Sequence, residues 1–462
     1  MVAVLMMATE SDAKMTSRWR LGWVLPCLML VVMAMDFALH LEPLDVFVNC
    51  PHEALGQLHT PEGPFEPNRE FHNARSYGDL AALGNLPRRR VYRRVDFATD
   101  AFGFHNPAAE GLAPAGILFG DSFAIGAEVP EQKSFSMQLT ALFSGPIYNA
   151  GGFVPLDFER VRQLASRLKL RTGAFIYEFH EAHLKELPPP AAPGVPSWRH
   201  KLAVRVLGPR GVDRLKGWLS SLPDSRLELL ARKFERALEN DAVLPNSFAS
   251  SVVEGRLRTG DWMLFLPSRI APVNSPDAAV VRWADFFRRL SGELGRDGLE
   301  LVVVIVPEKF TVYAPLLAWP RPPAEGDVLL GQLERRLREA CVPVVNVTPA
   351  FRAAAAELAE RHQYIYWQDD THWNECGVTI AVAEFRAQIG SQTLRAFVGG
   401  ALPPAHPSAA GTARKAALSC NCQSQQEYAA ASLSAPKRDC IPRISHTLER
   451  SWRMRRDCFR KS

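Results

Sequence analysis

The chain has 462 residues, of which 22% are charged and 47% hydrophobic, and this composition excludes a wholly disordered protein. The formal net charge is +5, but residues 401–462 hold 11 Lys and Arg against 4 Asp and Glu, a net of +7. The other 400 residues therefore sum to −2, which argues against a basic DNA-binding domain. We accordingly expect no nucleic-acid partner; a basic membrane or nucleic-acid binder that works through the tail is the weaker alternative.

The cysteines also concentrate near the C-terminus. Four of the eight lie beyond residue 400: Cys420, Cys422, Cys440 and Cys458. So few cysteines in the body do not describe a disulfide scaffold. Cys420 and Cys422 stand two apart without a second His or Cys pair at zinc-site spacing, so we predict no metal and no other cofactor.

The first predicted element is a membrane anchor. Residues 21–41 read LGWVLPCLMLVVMAMDFALHL, and at about 1.5 Å per residue this run spans about 31 Å, the thickness of a hydrocarbon core. Lys14, Arg18 and Arg20 precede it, so residues 1–20 stay in the cytoplasm and the rest of the chain is exported. We expect a bacterial inner-membrane protein with a periplasmic or otherwise extracytoplasmic main domain. A cleaved signal peptide and a buried helix of a soluble domain are the alternatives.

Regular structure is predicted from residue 91 onward, after a lead-in at 42–90 that is rich in Pro, Gly and charge. Strands are predicted at 116–119, 146–150, 174–177, 299–306, 342–347 and 364–367. Helices are predicted at 131–143, 157–169, 277–295, 326–340, 349–361 and 376–389. Strands that are apolar on both faces and alternate with helices predict an α/β fold with a doubly wound parallel sheet.

The domain map follows from this alternation. We predict one α/β domain over 91–395, interrupted by a helical insertion at about 188–270 that contains a basic amphipathic stretch. Residues 396–462 lack hydrophobic periodicity and are predicted to be a disordered basic tail.

A serine directly follows the first predicted strand of this domain, in Gly120-Asp121-Ser122. A serine on a tight strand-to-helix turn exposes its hydroxyl, and the following helix N-terminus supplies N–H groups for a developing oxyanion. The same residue also suits a plain helix N-cap, so this tripeptide alone decides nothing.

Two aspartates and a histidine follow the last predicted strand, in Asp369-Asp370-Thr371-His372. A carboxylate two or three residues before a histidine can hold the imidazole in the tautomer that deprotonates a serine. An Asx-turn with a surface histidine is the alternative. A third candidate is Asn149-Ala150-Gly151-Gly152 after the second strand, where glycine permits close backbone approach to a reacting carbonyl, although a simple turn explains it equally.

Taken together, these three segments resemble the sequence blocks of the SGNH (GDSL-like) hydrolases. The Asp-Thr-His-Trp form, the stretch 306–313 (VPEKFTVY) and the stretch 97–104 (FATDAFGF) are similar to membrane-anchored SGNH-like proteins of exopolysaccharide clusters, including the alginate O-acetyltransferase group. The resemblance spans about residues 91–390. The serine precedes the histidine here, as in ordinary SGNH hydrolases, whereas in the alginate acetyltransferases proper the Asp-x-His comes first.

The resemblance implies roles for single residues. Ser122 is the nucleophile and His372 the general base, while Asp370 matches the DxHW aspartate and Asp369 the more widespread DxxH spacing. The amides of Ser122 and Gly151 form the oxyanion hole. The family's third block usually offers an Asn as a further donor, but the corresponding stretch 177–184 (YEFHEAHL) contains none. Either His180 or His183 replaces it as a donor, or the site has only the two backbone donors. The remaining substrate contacts are expected from Asn149, Lys309 and Tyr313.

The resemblance further implies an acyl-ester hydrolase or O-acyltransferase that acts on O-acetylated polysaccharide through an acyl-serine. Its partners would be an acylated glycan, the inner membrane and polysaccharide-assembly proteins. The missing third-block Asn leaves a second interpretation open, a catalytically degenerate carbohydrate-binding or scaffold protein of such an assembly.

Overall fold

The computed structural model describes residues 26–41, 63–106 except 66 and 85, 113–152 except 127 and 144, 158–188, 205–206, 225–231, 234, 252–318 and 325–398. The predicted cytoplasmic segment 1–20 and the tail beyond residue 398 lie outside these residues. A helix covers residues 26–39, within the predicted anchor. Among the described residues, no helix combines the length and the apolar character needed to cross a membrane.

The described strands form a central sheet and two hairpins. They are β1 (Glu70–Ser76), β2 (Arg93–Ala98), β3 (Gly116–Gly120), β4 (Ile147–Gly151), β5 (Gly173–His180), β6 (Val253–Arg256), β7 (Trp262–Phe265), β8 (Leu299–Val306) and β9 (Val344–Asn346). The sheet has the order β4-β3-β5-β8-β9 with parallel pairing throughout, and β1–β2 and β6–β7 pair antiparallel. The predicted α/β fold with a parallel sheet is confirmed.

Helices cover both faces of this sheet. Besides the helical residues 26–39 and 226–231, the described helices are α1 (Asp79–Leu83), α2 (Ser122–Ile125), α3 (Phe135–Thr140), α4 (Phe158–Arg167), α5 (Pro267–Ile270), α6 (Pro276–Arg296), α7 (Lys309–Tyr313), α8 (Glu325–Glu339), α9 (Thr348–Ala359) and α10 (Glu375–Val398). Short 3₁₀ turns lie at Pro87–Arg89, Glu131–Lys133, Glu181–Lys185 and Ala314–Leu316.

The β8 strand shows why its sequence is apolar throughout. Val302, Val304 and Val306 pack into the core under α3, α9 and α10, while the residues between them pack into the core under α4, α6 and α8. Successive side chains of a strand point to opposite faces, so a strand covered on both sides needs an apolar residue at nearly every position.

Residues 364–367 are not a sheet strand, contrary to the sequence prediction. The structure gives them a single bridge, between Tyr366 and Trp373. Side chains bond this backbone instead: the Ile365 N–H donates to the Tyr313 hydroxyl, and Lys309 Nζ donates to the Trp367 carbonyl. The segment therefore packs against α7 rather than extending the sheet beyond β9.

Two hairpins lie where the sequence indicated no strands. The first, β1–β2, begins inside the predicted lead-in, and the second, β6–β7, lies inside the predicted insertion. The described part of the predicted insertion holds this hairpin as well as the helical residues 226–231. The insertion is therefore not purely helical, contrary to the prediction. Leu264 of the second hairpin packs against Tyr77 and Leu80 beside α1, which joins the two segments at one edge of the domain. The helix predicted over 131–143 is a 3₁₀ turn followed by α3, because Ser134 caps α3 by accepting from the Met137 N–H.

Candidate active site

The candidate nucleophile lies on a tight turn at the carboxyl end of β3. The Asp121 carboxylate caps α2 by accepting from the Phe123 N–H at 2.9 Å, so Ser122 occupies the first helical position. Gly120 lets the start of α2 and the neighbouring β5 pack closely, because a Cβ there would lie 2.9 Å from the Ala124 Cβ and 2.8 Å from the Glu178 Cβ. In this strand order the chain turns to opposite sides after β3 and β5, the place where open parallel sheets hold their ligands.

Ser122, His372 and Asp370 form a continuous chain of hydrogen bonds. Ser122 Oγ lies 2.7 Å from His372 Nε2, and His372 Nδ1 lies 2.6 Å from Asp370 Oδ1. The same Asp370 oxygen accepts from the His372 backbone N–H at 2.8 Å, which fixes the loop geometry. The histidine therefore faces the serine with one nitrogen and the carboxylate with the other, as general-base catalysis requires.

The charge state of His372 follows from its surroundings. Burial on its own would lower the pKa of His372, but the Asp370 carboxylate, with Asp79 and Glu128 behind it, raises this pKa to about 9. Burial likewise opposes ionisation of Asp370, yet His372 and Arg93 hold the pKa of this carboxyl below its usual range. The resting site at neutral pH is thus an imidazolium–carboxylate pair.

This charge state predicts a distinctive pH dependence for any reaction that uses His372 as a base. Only the neutral imidazole accepts the serine proton, and below a pKa of about 9 its fraction falls tenfold per pH unit. We expect kcat/KM for an acetyl ester, corrected for spontaneous hydrolysis, to rise with unit slope from pH 6 to about pH 9 and then level off. A plateau already reached at pH 7 would contradict the assigned pKa.

The two neighbouring aspartates have different partners. The second carboxylate oxygen of Asp370 accepts from the Asp79 N–H at 2.9 Å and from Arg93 Nη2 at 2.8 Å. Asp369 Oδ2 accepts from the N–H groups of Gly78 and Val91, both at 2.8 Å, and Asp369 does not bond the imidazole. The structure therefore brings Asp370 to His372, and it points Asp369 toward the segment before β2.

Lys309 and Tyr313 lie behind this loop and are buried. Lys309 Nζ donates to the carbonyls of Trp367, Gln368 and Asp370 at 2.7, 3.0 and 2.9 Å. Burial lowers the pKa of Lys309 to about 7. Tyr313 is fully buried and accepts from the Ile365 N–H. Both residues hold the backbone of the histidine loop, and their contact with a substrate stays a prediction.

Asn149 is also part of the scaffold. It is 1% exposed, and its Oδ1 accepts from the Gly151 N–H at 2.9 Å. Its backbone N–H in turn donates to Asn106 Oδ1, and Asn106 bonds the Asp100 carboxylate that closes the 97–104 turn. The Gly151 N–H expected in the oxyanion hole is thus already engaged by a side chain.

His180 and His183 surround the Asp121 carboxylate from the end of β5. His183 Nε2 lies 3.3 Å and His180 Nδ1 lies 3.8 Å from Asp121 Oδ2. Their other nitrogens face Glu186 at 2.9 Å and Glu308 at 3.6 Å. Both ring nitrogens of His183 therefore face carboxylates at close range, whereas the buried His180 Nε2 makes no hydrogen bond among the described residues.

Ser122 stands at the first position of α2, and the first N–H groups of a helix have no intrahelical acceptor. Asp79, Asp370 and His372 also offer ligand atoms within 4.8 Å of one another, the geometry of a small metal site. These atoms are already bonded, however, to Thr371, Arg93 and Ser122.

Arg93, Gly78 and Asp79 were not predicted from the sequence. All three reach the histidine loop from the segment that precedes β3. One signal indicated that a basic residue lies in the site: two adjacent aspartates at a buried strand end need a positive partner. The sequence offers many arginines, however, and did not single this one out.

Comparison with known proteins gives a family-model match that includes the histidine loop of the site. A family model described as "SGNH hydrolase-like domain, acetyltransferase AlgX" matches residues 256–433, which include the Asp369–His372 loop but not Ser122. The probable alginate O-acetylase AlgJ of Pseudomonas putida is 28% identical over 154 residues, 33% of this chain and 38% of that protein. Its namesake from Pseudomonas aeruginosa is 26% identical over 129 residues, 28% of this chain and 32% of that protein. The chain thus spans about a third of the length of these curated relatives.

A solved structure, the O-acetyltransferase domain of Pseudomonas putida AlgJ, matches with 27% identity and a TM-score of 0.25 over 30% of this chain and 47% of that one. The resemblance inferred from the motifs is confirmed by the family model and the curated relatives: the chain is similar to the SGNH hydrolase-like domain of AlgX and to probable alginate O-acetylases.

Proposed function

We propose that the chain is an acyl-ester enzyme that works through an acyl-serine intermediate. The observation that carries this proposal is the hydrogen-bonded chain from Ser122 Oγ through His372 to Asp370, with links of 2.7 and 2.6 Å. A serine, a histidine and a buried carboxylate in this order form the arrangement that activates a hydroxyl for attack on an ester.

In the proposed reaction, Ser122 Oγ attacks the ester carbonyl carbon as His372 Nε2 takes the hydroxyl proton. Asp370 stabilises the imidazolium, and the Ser122 N–H at the start of α2 donates to the oxyanion. The intermediate collapses when His372 returns the proton to the leaving alkoxide, which leaves an acyl-serine. Water or a sugar hydroxyl then gives its proton to His372 and attacks the acyl carbon. The bond to Ser122 Oγ breaks as His372 returns this proton to that oxygen, which releases the acid or a new ester and free Ser122.

We propose an O-acetylated polysaccharide as the substrate. The names of the AlgJ relatives and of the AlgX family model support an acetyl group as the acyl unit and a polysaccharide as its carrier. The outcome, hydrolysis or transfer, depends on whether the bound acceptor excludes water from the acyl-serine.

We further propose an extracytoplasmic domain held by an N-terminal inner-membrane anchor, working beside polysaccharide-assembly proteins. The apolar run 21–41 after basic residues supports the anchor. A second support is Cys376, which is disulfide-bonded. It lies three residues after Trp373. Disulfides persist in oxidising compartments such as the periplasm and are rare in the cytosol.

A second candidate function is polysaccharide binding without turnover. One observation favours it: the Gly151 N–H that was expected in the oxyanion hole already donates to Asn149 Oδ1, and both ring nitrogens of His183 already face carboxylates. Loss of a single such donor typically lowers a rate by about 10²–10³-fold.

A covalent serine probe separates the two candidates. We expect the full-length protein in detergent to react with a fluorophosphonate, and mass spectrometry to place one adduct on the peptide that contains Ser122. The Ser122→Ala protein controls for reaction elsewhere. The proposed function predicts an adduct on Ser122 that is lost at pH 5, where His372 is fully protonated. Absence of the adduct at pH 9 would favour the binding protein.

A further inference from the structure

We propose that Arg93 is a positioning residue of the Ser122 site: it holds Asp370 against His372, and Asp369 serves to hold Arg93. This inference rests on the proposed function for its kinetic consequence but not for its structural one. It gives the two adjacent aspartates separate tasks, one bonded to the imidazole and the other to the guanidinium.

The guanidinium of Arg93 reaches three carboxylates. Its Nη2 donates to Asp370 Oδ2 at 2.8 Å, its Nη1 donates to Asp369 Oδ1 at 3.0 Å, and its Nε donates to Glu128 Oε2 at 2.9 Å. The Cζ atom of Arg93 lies over the ring of Trp367, 4.4 Å from the centroid of that ring. A planar group with donors on every edge is needed to satisfy this set at once, and a lysine ammonium has no such fork.

Burial makes this geometry consequential. The side chains of Arg93, Asp369 and Asp370 are 1%, 0% and 0% exposed. Buried charges without partners are costly, and removing one member of such a set leaves the others uncompensated. Arg93 therefore fixes the rotamer of Asp370 far more firmly than a solvent-exposed ion pair could.

The Asp370 carboxylate is held from two opposite sides. One oxygen faces His372, while the other is held by Arg93 and by the Asp79 N–H at the start of α1. The contacts of Arg93 and Asp370 join positions 277 residues apart in sequence. The hairpin β1–β2 and α1 thus complete the site, although neither belongs to the parallel sheet that carries Ser122.

A merely structural ion pair makes a different prediction. If Arg93 only stabilised the fold, its replacement would lower the amount of folded protein and leave the folded remainder fully active. If Arg93 positions Asp370, folded protein will carry a loosened imidazole and a lower turnover number.

The test uses Arg93→Lys, which keeps the charge and loses the fork, with Arg94→Lys as the matched control. Arg94 is the next residue of the same strand, but its side chain is 66% exposed and pairs with Asp96. With the full chain and 4-nitrophenyl acetate, we expect Arg93→Lys to lower kcat about 100-fold with KM changed less than twofold. Arg94→Lys should change neither quantity by more than twofold. Equal kcat values for the two variants, per folded molecule by near-ultraviolet circular dichroism, would overturn the proposal.

A second measurement does not depend on activity. The pKa of His372, followed by NMR of histidine-labelled protein and assigned with His372→Gln, should fall by one unit or more in Arg93→Lys and stay constant in Arg94→Lys. The total charge is the same in both variants, so the shift reports how closely Asp370 faces the imidazole. If wild type and Ser122→Ala prove equally inactive, the proposed function fails while this titration still decides the role of Arg93; an unchanged pKa in Arg93→Lys would refute that role.

Discussion

Replacement of Ser122 by alanine is expected to lower the rate of acetyl-ester turnover by about 10⁶-fold, the loss in kcat that removal of a triad serine causes. Ser122 Oγ is the atom that His372 Nε2 contacts at 2.7 Å, and alanine leaves the imidazole nothing to deprotonate but water. Attack by a free water molecule lacks the fixed approach of a bound hydroxyl, so the variant loses the advantage of proximity as well as the covalent step.

The measurement is the initial rate of 4-nitrophenyl acetate hydrolysis by the full chain at pH 9, where His372 is half deprotonated or more. Ser166→Ala is the matched control, because Ser166 is exposed on α4 and outside the site. We expect the control to keep the wild-type rate. Equal rates for wild type and Ser122→Ala would refute the acyl-serine mechanism.

The serine and histidine blocks could be predicted from sequence because both are local. Ser122 follows a short apolar run, and His372 lies two residues after an aspartate, so each block was recognisable within a few positions. The parallel sheet supplies the remaining step. It brings the end of β3 close to the loop that follows Trp367. Recognising either block therefore required no knowledge of residues far away in the sequence.

The roles of Lys309 and Tyr313 could not be predicted in the same way. Both belong to a stretch that resembled the family and carry polar groups, which suggested substrate contacts. Their partners are backbone atoms at Ile365, Trp367, Gln368 and Asp370, and a sequence does not show where backbone hydrogen bonds are lacking. The strand predicted at 364–367 is absent for the same reason: side chains of α7 bond this segment in place of a neighbouring strand.

The burial of Arg93 and its place in the site could not be predicted from the residues around it. In β2, Arg93, Val95 and Phe97 are buried while Arg94 is exposed. An arginine at the start of a strand is ordinarily assigned to the surface, because charged residues are rarely buried unless they are paired. Its partners lie in a loop about 280 residues later in the chain, so only the folded structure identifies which of two adjacent arginines is inside.

The replacement Asp370→Asn is expected to lower kcat by about 10⁴-fold while the protein remains folded. An amide cannot stabilise an imidazolium, and its NH₂ group favours the tautomer with the proton on the nitrogen that faces Ser122. The measurement is kcat for the acetyl ester at saturating substrate. Asp369→Asn is the contrast, since the amide oxygen can still accept from the N–H groups of Gly78 and Val91. We expect the contrast variant to lose about tenfold or less, through a loosened Arg93.

The two variants also differ in the pH dependence of the residual activity. In wild type the Asp370 carboxylate outweighs burial and raises the pKa of His372 to about 9. Without that carboxylate, burial lowers the pKa of His372 with little opposition. The acid limb of kcat/KM should therefore move to lower pH in Asp370→Asn, whereas it should stay near pH 9 in Asp369→Asn. If Asp369 were instead the acid that orients the histidine, as the DxxH spacing allows, both the rate losses and the shifts of the acid limb would be exchanged between the two variants. The pair of measurements therefore decides which aspartate serves His372, because a variant that only destabilises the fold lowers the rate without moving the limb.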